Sequence, residues 1–228
     1  MPARIDHLVI AARSLDEGVA WCEATFSVVP GPGGVHRLMG THNRLLKIAA
    51  ADFPRAYLEI IAIDPRQKPT RPATFHRWFD LDDAELQATL ARRGPQLVHF
   101  VVEVPDADAA VQALARQRID RGRLLEASRD TPAGRLDWRI TVRDDGQRLF
   151  YGALPTLIAW GAAHPSDSMA DSGTRLRSLA LSHPRAVDLA KALQAIGLAD
   201  TPLSAGAPGL RAVFDTPRGT VTLDSKGI

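Results

Sequence analysis

The apolar positions fall into runs that alternate between strand and helix periods. Residues 5–11 (Ile-Asp-His-Leu-Val-Ile-Ala) read as a buried strand. A helix follows, opened by Ser14 with Glu17 three residues on, the reciprocal capping-box pattern, and its apolar positions Leu15, Val19, Cys22 and Phe26 keep helical spacing. The run Pro30-Gly31-Pro32-Gly33-Gly34 breaks the chain, and strands are predicted over 35–39, 43–49 and 56–63. The glycines of this break do not lead from a strand into a helix, so they do not form a phosphate-cradling loop. The first 63 residues therefore read β-α-β-β-β. A connector, 64–96, is kept extended by Pro65, Pro69 and Pro72, and its short helix over 82–93 stops at Gly94-Pro95.

After the connector the pattern returns. Residues 97–104 are strand-like, Pro105-Asp106 starts a helix, and strands are predicted near 124–129, 135–143 and 153–160. Laying His99 on His7 also superposes Val101 on Val9, Asp108 on Asp16 and Val111 on Val19, an internal repeat at an offset of 92 residues. A shorter echo begins at Ser178, with Pro184 on Pro105 and strands near 210–215 and 219–224. The expected units are 1–63, 97–165 and a further β-α-β-β fragment, 176–228, packed on the same domain.

Composition narrows the function. The chain has 228 residues, a formal net charge of +2 and one cysteine. Cys22 alone excludes an internal disulfide framework and any multi-cysteine zinc site, and its helical spacing places it in the core. The small net charge argues against nucleic acid as a partner. The basic stretch from Arg116 to Arg123 reads as a solvated face at a helix end. Residues 149–166 lack Asp, Glu, Lys and Arg, but Gly152, Pro155, Gly161 and Pro165 prevent a clean spanning helix, so no membrane role is expected. With no targeting segment visible, the expected location is the cytoplasm.

His7 and His99 share one place in two copies of a unit, and Glu59 lies between Leu58 and Ile60 in the last strand of the first copy. Strand alternation puts Tyr57, Glu59 and Ile61 on one face. Two imidazoles and a carboxylate facing inward from strands suit a divalent first-row metal with open positions. Hydrogen-bonded core histidines and a solvent-facing Glu59 are the alternative. His36, Thr41 and Asn43 surround a glycine-rich turn, where they would bind substrate oxygens, with His36 as general base; turn chemistry accounts equally for Thr41 and Asn43. Arg129, Trp138 and Arg139 lie on strands of the second copy. An inward arginine there suits a carboxylate, and an exposed or structural arginine is the alternative. His42, His76, His164 and His183 fall in loops or at edges and receive no role. No nucleophile elbow or Ser-His-Asp order is present.

The runs Ile5-Asp6-His7-Leu8-Val9, Gly33 to Asn43, Tyr57-Leu58-Glu59-Ile60-Ile61, and Leu154 to Trp160 followed by His164-Pro165 resemble the vicinal oxygen chelate superfamily, and within it the glyoxalase-like domain proteins. The resemblance spans residues 5–165. It implies an α+β fold in which paired βαβββ modules form an open cupped barrel. It also implies metal ligands on the first and last strands of each module, here His7, Glu59 and His99. The fourth position should lie in 148–163, which holds no Asp, Glu, His, Asn, Gln or Cys; only Tyr151 and Thr156 offer side-chain oxygens. The expected cofactor is a divalent ion (Zn, Ni, Fe or Mn). The expected substrate is a small molecule with two adjacent oxygens, its apolar body against the strand that ends at Trp160. The chemistry implied is isomerase or lyase catalysis, or oxygen insertion as in the dioxygenases. The rival is a non-catalytic binding or resistance protein of the same fold. A homodimer is compatible with either.

Overall fold

The computed structural model describes residues 2–227. In chain order it contains β1 (Arg4–Ala11), α1 (Leu15–Phe26), β2 (Val35–His36), β3 (Thr41–Lys47), β4 (Tyr57–Ile63), α2 (Ala84–Arg93), β5 (Gln96–Glu103), α3 (Ala107–Arg116), β6 (Arg123–Thr131), β7 (Gly134–Val142) and β8 (Thr156–Trp160). Then follow α4 (Pro165–Ser168), β9 (Arg175–Ser182), α5 (Ala186–Ala195), β10 (Leu203–Ser204), β11 (Gly209–Thr216) and β12 (Gly219–Asp224). Helix α1 starts where Ser14 accepts a hydrogen bond from the Glu17 amide; the Glu17 carboxylate lies 3.6 Å from Arg13, so half of the expected capping box forms.

The repeat becomes one strongly curled, open eight-stranded sheet in the order β2-β3-β4-β1-β5-β8-β7-β6. Its two halves meet where β1 and β5 pair antiparallel, with His7 opposite Val101 and Val9 opposite His99. Each first strand runs parallel to the last strand of its own unit: Val9 pairs with Glu59, and Val101 with Thr156. Thr156 is thus the repeat counterpart of Glu59.

Two hydrophobic clusters divide the faces. One joins Leu8, Ile10, Phe26 and Phe100 to Leu179, Leu210 and Phe214. It buries α1, α3 and the C-terminal residues behind the sheet, with Phe26 and Phe214 edge to face at 5.2 Å. The C-terminal piece forms its own four-stranded sheet, β10-β9-β11-β12. Here the first strand sits inside the sheet instead of beside the last, so the echo at Ser178 carries a different topology, with one more short strand than expected. The second cluster fills the hollow of the curl, where the connector packs Trp78, Phe79, Leu81, Leu86 and Leu90 against Val9, Ile61, Val98 and Ile158. The connector is therefore an internal plug, because its aromatic residues are the apolar surface that the hollow requires. Among the described residues no helix is long and apolar enough to cross a membrane.

Candidate functional site

A register shift between Ile5 and His7 in the β1–β5 pairing interrupts strict alternation, so Asp6 and His7 serve one site. Asp6 is 1% exposed and receives three donors: His7 Nδ1 at 2.5 Å, Trp160 Nε1 at 2.8 Å and His164 Nε2 at 2.8 Å. The Ser166 amide donates to His164 Nδ1 at 3.1 Å, so the His164 proton sits on Nε2 and points at Asp6. Burial raises the Asp6 pKa, but the hydrogen bonds from His164 and His7 outweigh it and hold the group ionised far into acid. His7 stacks on Tyr57, with ring centroids 4.6 Å apart.

With Nδ1 bound to Asp6, His7 turns Nε2 toward Glu59 Oε2, 3.5 Å away. Burial works against the imidazolium, yet Asp6 and Glu59 together push its pKa up to about 9. Glu59, 6% exposed, also accepts from Asn43 Nδ2 at 2.6 Å. Burial raises its pKa, and His7 overcomes this to keep it ionised. Asn43 is oriented by its own Oδ1, which accepts from the Gly34 amide at 2.7 Å. Its amide nitrogen therefore faces both Glu59 and His36 Nε2, the latter at 3.3 Å. His36 Nε2 accepts from Asn43 Nδ2 and lies 4.0 Å from Glu59 Oε1, which leaves the Nδ1 proton for Thr41 Oγ1 at 3.1 Å. Burial, against the pull of Glu59 and with help from Arg129, drives the His36 pKa down to about 4.

These groups line an inner cavity of about 40 Å³ together with Trp78, Phe79, Trp138, Trp160 and Arg129. Arg129 reaches across from β6 and lies on Gly34, where a Cβ would stand 1.9 Å from Nη1. Its Nε is buried without a hydrogen-bond partner, and among the described residues it has no carboxylate partner.

His99 is held differently. Its Nδ1 lies 2.9 Å from the Gly152 carbonyl, and Nε2 accepts from the Thr156 amide at 3.1 Å, with Arg121 Nη2 at 3.4 Å. Arg121 also bonds Thr156 Oγ1 and the Pro155 carbonyl. Burial first, then Arg121 and Arg148, depress the His99 pKa well below 6.5. Trp78 and Phe79 line both this small cavity and the inner cavity, and the Phe79 ring lies 5.3 Å from the imidazole. The connector stands between the two half-sites.

The structure thus brings together His7, Glu59, His36, Thr41, Asn43, Arg129, Trp138 and Trp160. It leaves His99 in its own pocket and Arg139 on the outside, where its guanidinium pairs with Asp108 at 2.7 Å. Arg121 leaves the predicted solvated face and is 3% exposed. Asp6, His164, Trp78 and Phe79 complete the site without having been marked in the sequence.

Two clusters bear on a metal. Asp6, Glu103 and His164 are the described group of three whose ligand-type atoms lie within 4.8 Å of one another. There the His164 Nε2 proton and the Trp160 N–H occupy Asp6, and Arg4 holds Glu103 at 2.7 Å, so the geometry is that of a hydrogen-bonded hub. The inner cavity offers a second, wider donor set, outside the 4.8 Å grouping. His7 presents Nε2 with Nδ1 braced by a carboxylate, as in many metal-ligating histidines, and His36 Nε2 and Glu59 face the same space. His99 Nε2 has no lone pair left for a metal.

A curled sheet of two β-α-β-β-β units with a histidine–carboxylate cluster in its hollow defines a protein of the vicinal oxygen chelate class. A family model described as "Glyoxalase-like domain" matches residues 5–197, and the chain belongs to that family. Among solved structures, a hypothetical protein from Staphylococcus aureus is similar over 98% of this chain and 85% of its own, at 13% identity and a TM-score of 0.58. Methylmalonyl-CoA epimerase from Streptomyces coelicolor, solved with 2-nitronate-propionyl-CoA, is 22% identical with a TM-score of 0.42, over 72% of this chain and all (100%) of its own. The epimerase from Mycobacterium tuberculosis is 18% identical with a TM-score of 0.39, over 73% and 92%. No curated protein sequence matches the chain significantly.

Proposed function

We propose that this protein is a glyoxalase-like enzyme that moves a proton at a carbon beside a carbonyl in a small carboxylic acid. The observation that carries the reading is Glu59: an ionised carboxylate, buried, aimed by Asn43 and faced by a cationic His7. Glu59 Oε2 accepts the substrate proton. His7 Nε2, beside it, donates a hydrogen bond to the oxygen on which negative charge develops, and Asp6 keeps the imidazole in that tautomer and orientation. His36 stays neutral, its pKa near 4, so its Nε2 faces the cavity beside the Asn43 amide as a weakly basic acceptor. Arg129, which has no carboxylate partner among the described residues, binds the substrate carboxylate. With a divalent ion loaded, His7 would instead be neutral at Nε2 and would hold the ion with His36 and Glu59, and the ion would take over from the His7 N–H by supplying Lewis-acid stabilisation of an enolate oxygen.

The test is deuterium exchange at the carbon beside the carbonyl of straight-chain 2-oxo acids in D₂O. It is followed by NMR for protein loaded separately with Zn(II), Ni(II), Mn(II) or Fe(II), and for Glu59→Gln. Exchange by wild type and not by the variant is the expected result. Oxygen uptake with Fe(II) or Mn(II) and no exchange would replace proton transfer with oxygen insertion. Binding with neither would leave a binding protein.

A further inference from the structure

Beyond Arg129, next to the inner cavity, lies a groove of about 450 Å³, within the range of roughly 300–1,000 Å³ usual for small-molecule sites. Leu45, Arg129 and Pro165 line both spaces, so the two adjoin at these side chains. The groove walls are mostly apolar, among them Val28, Val29, Pro32, Leu136, Met169 and Ala170. Val29, 58% exposed, lies in the wall of the groove. The other charges at the groove are engaged: Lys47 Nζ donates to the Ser166 carbonyl at 3.0 Å, and Asp171 pairs with Arg175 at 2.7 Å. Arg129, whose Nε is buried without a hydrogen-bond partner and which has no carboxylate partner among the described residues, stands at the junction of a polar inner space and an apolar outer one.

We propose that the substrate is an amphipathic carboxylic acid, with its oxygen-bearing head in the inner cavity, its carboxylate on Arg129 and an extended apolar body in the outer groove. This rests on the preceding reading of the head and adds the tail. The inner cavity is too small to hold such a molecule alone, and the groove offers the apolar area that a hydrocarbon chain would cover.

Straight-chain 2-oxo acids of increasing length provide the probe, titrated against intrinsic tryptophan fluorescence; three of the four tryptophans, Trp78, Trp138 and Trp160, line the inner cavity. Affinity should rise about fourfold per added methylene until the groove is filled, the fold-change that corresponds to burying one methylene. Val29→Glu, at an exposed position, and Ala170→Phe should each flatten this dependence. Arg129→Leu should weaken every member while keeping the dependence, with Arg129→Lys recovering part of the loss. A flat or falling series in wild type overturns the tail site and leaves the head reading standing. Length dependence that survives both groove variants also overturns it. Failure of every member to bind overturns the head reading, and the tail site with it.

Discussion

His7 and His99 occupy the same position in two copies of one unit, yet their surroundings make them opposites. His7 lies between two carboxylates and is pushed toward the cation; His99 lies beside two arginines and is pushed toward the neutral form. The neighbours that differ are themselves repeat-equivalent. Asp6 in the first unit corresponds to Val98 in the second, and Glu59 to Thr156. The second unit thus has an apolar and a hydroxyl side chain where the first has two carboxylates, and Arg121 and Phe79 lie beside its histidine. The two copies build one cup, with the buried carboxylates gathered in one half and arginine and hydroxyl partners in the other.

The largest contrast is expected in catalysis. Glu59→Gln should lower proton exchange by about 10²–10⁴-fold, the usual contribution of a positioned acid or base, whereas Thr156→Val should change it little. An equal loss from both would mean that the two half-sites act together. Asp6→Asn should be the most destabilising change. It breaks a buried ion pair and leaves His7, His164 and Trp160 sharing a poorer acceptor, at a cost of about 3–5 kcal/mol in denaturant unfolding. Arg121→Leu removes a donor from Thr156 and the Pro155 carbonyl and should cost less, about 1–3 kcal/mol, with exchange retained.

Much of this asymmetry lay beyond sequence reading for local reasons. The β-α-β-β-β repeat was legible because its periodicities are strong, and His7 and Glu59 because polar groups in buried strands are rare. The inward role of Asp6 was hidden by the register shift after Ile5, which defeats the alternation rule. His164 comes from the segment after β8, and its place at Asp6 depends on the Ser166 amide. Arg121 sits among arginines that face solvent, and only the Thr156 and Pro155 oxygens draw it inward. Nothing in the connector's periodicity said that Trp78 and Phe79 would enter the cup, although its aromatic residues need burial. The silent fourth position was read correctly as lacking a carboxylate. Its consequence, a His99 turned away to backbone and hydroxyl partners, required the fold.

A pH comparison would sharpen the contrast in chelator-treated protein. The folded pKa of His7 is raised, so its contribution to stability is complete below its unfolded value near 6.5 and is lost as pH rises through about 9. His99 is depressed, so its contribution is present above 6.5 and fades as pH falls toward its folded value. The destabilisation caused by His7→Gln should therefore shrink toward alkaline pH, and that caused by His99→Gln should shrink on acidification. Denaturant titrations at three pH values measure both, and two slopes of the same sign would contradict the difference in surroundings.

The smallest effect on stability is expected at Gly34. A Cβ there meets the far end of Arg129, which can swing aside, so Gly34→Ala should stay within about 0.5 kcal/mol of wild type. The matching test in the other half is Gly152→Ala. Gly152 has φ +86, and its Cβ would stand 2.3 Å from the Val98 carbonyl, which cannot move without the sheet. That change should cost about 1–3 kcal/mol. Gly34→Ala should nonetheless weaken carboxylate binding, because the guanidinium it displaces faces the cavity and has no carboxylate partner among the described residues. Unchanged fluorescence titrations with 2-oxo acids in Gly34→Ala would show that Arg129 does not hold the head group where the structure places it. Weakened binding at wild-type stability would separate the yielding wall of the first half from the rigid support of the second.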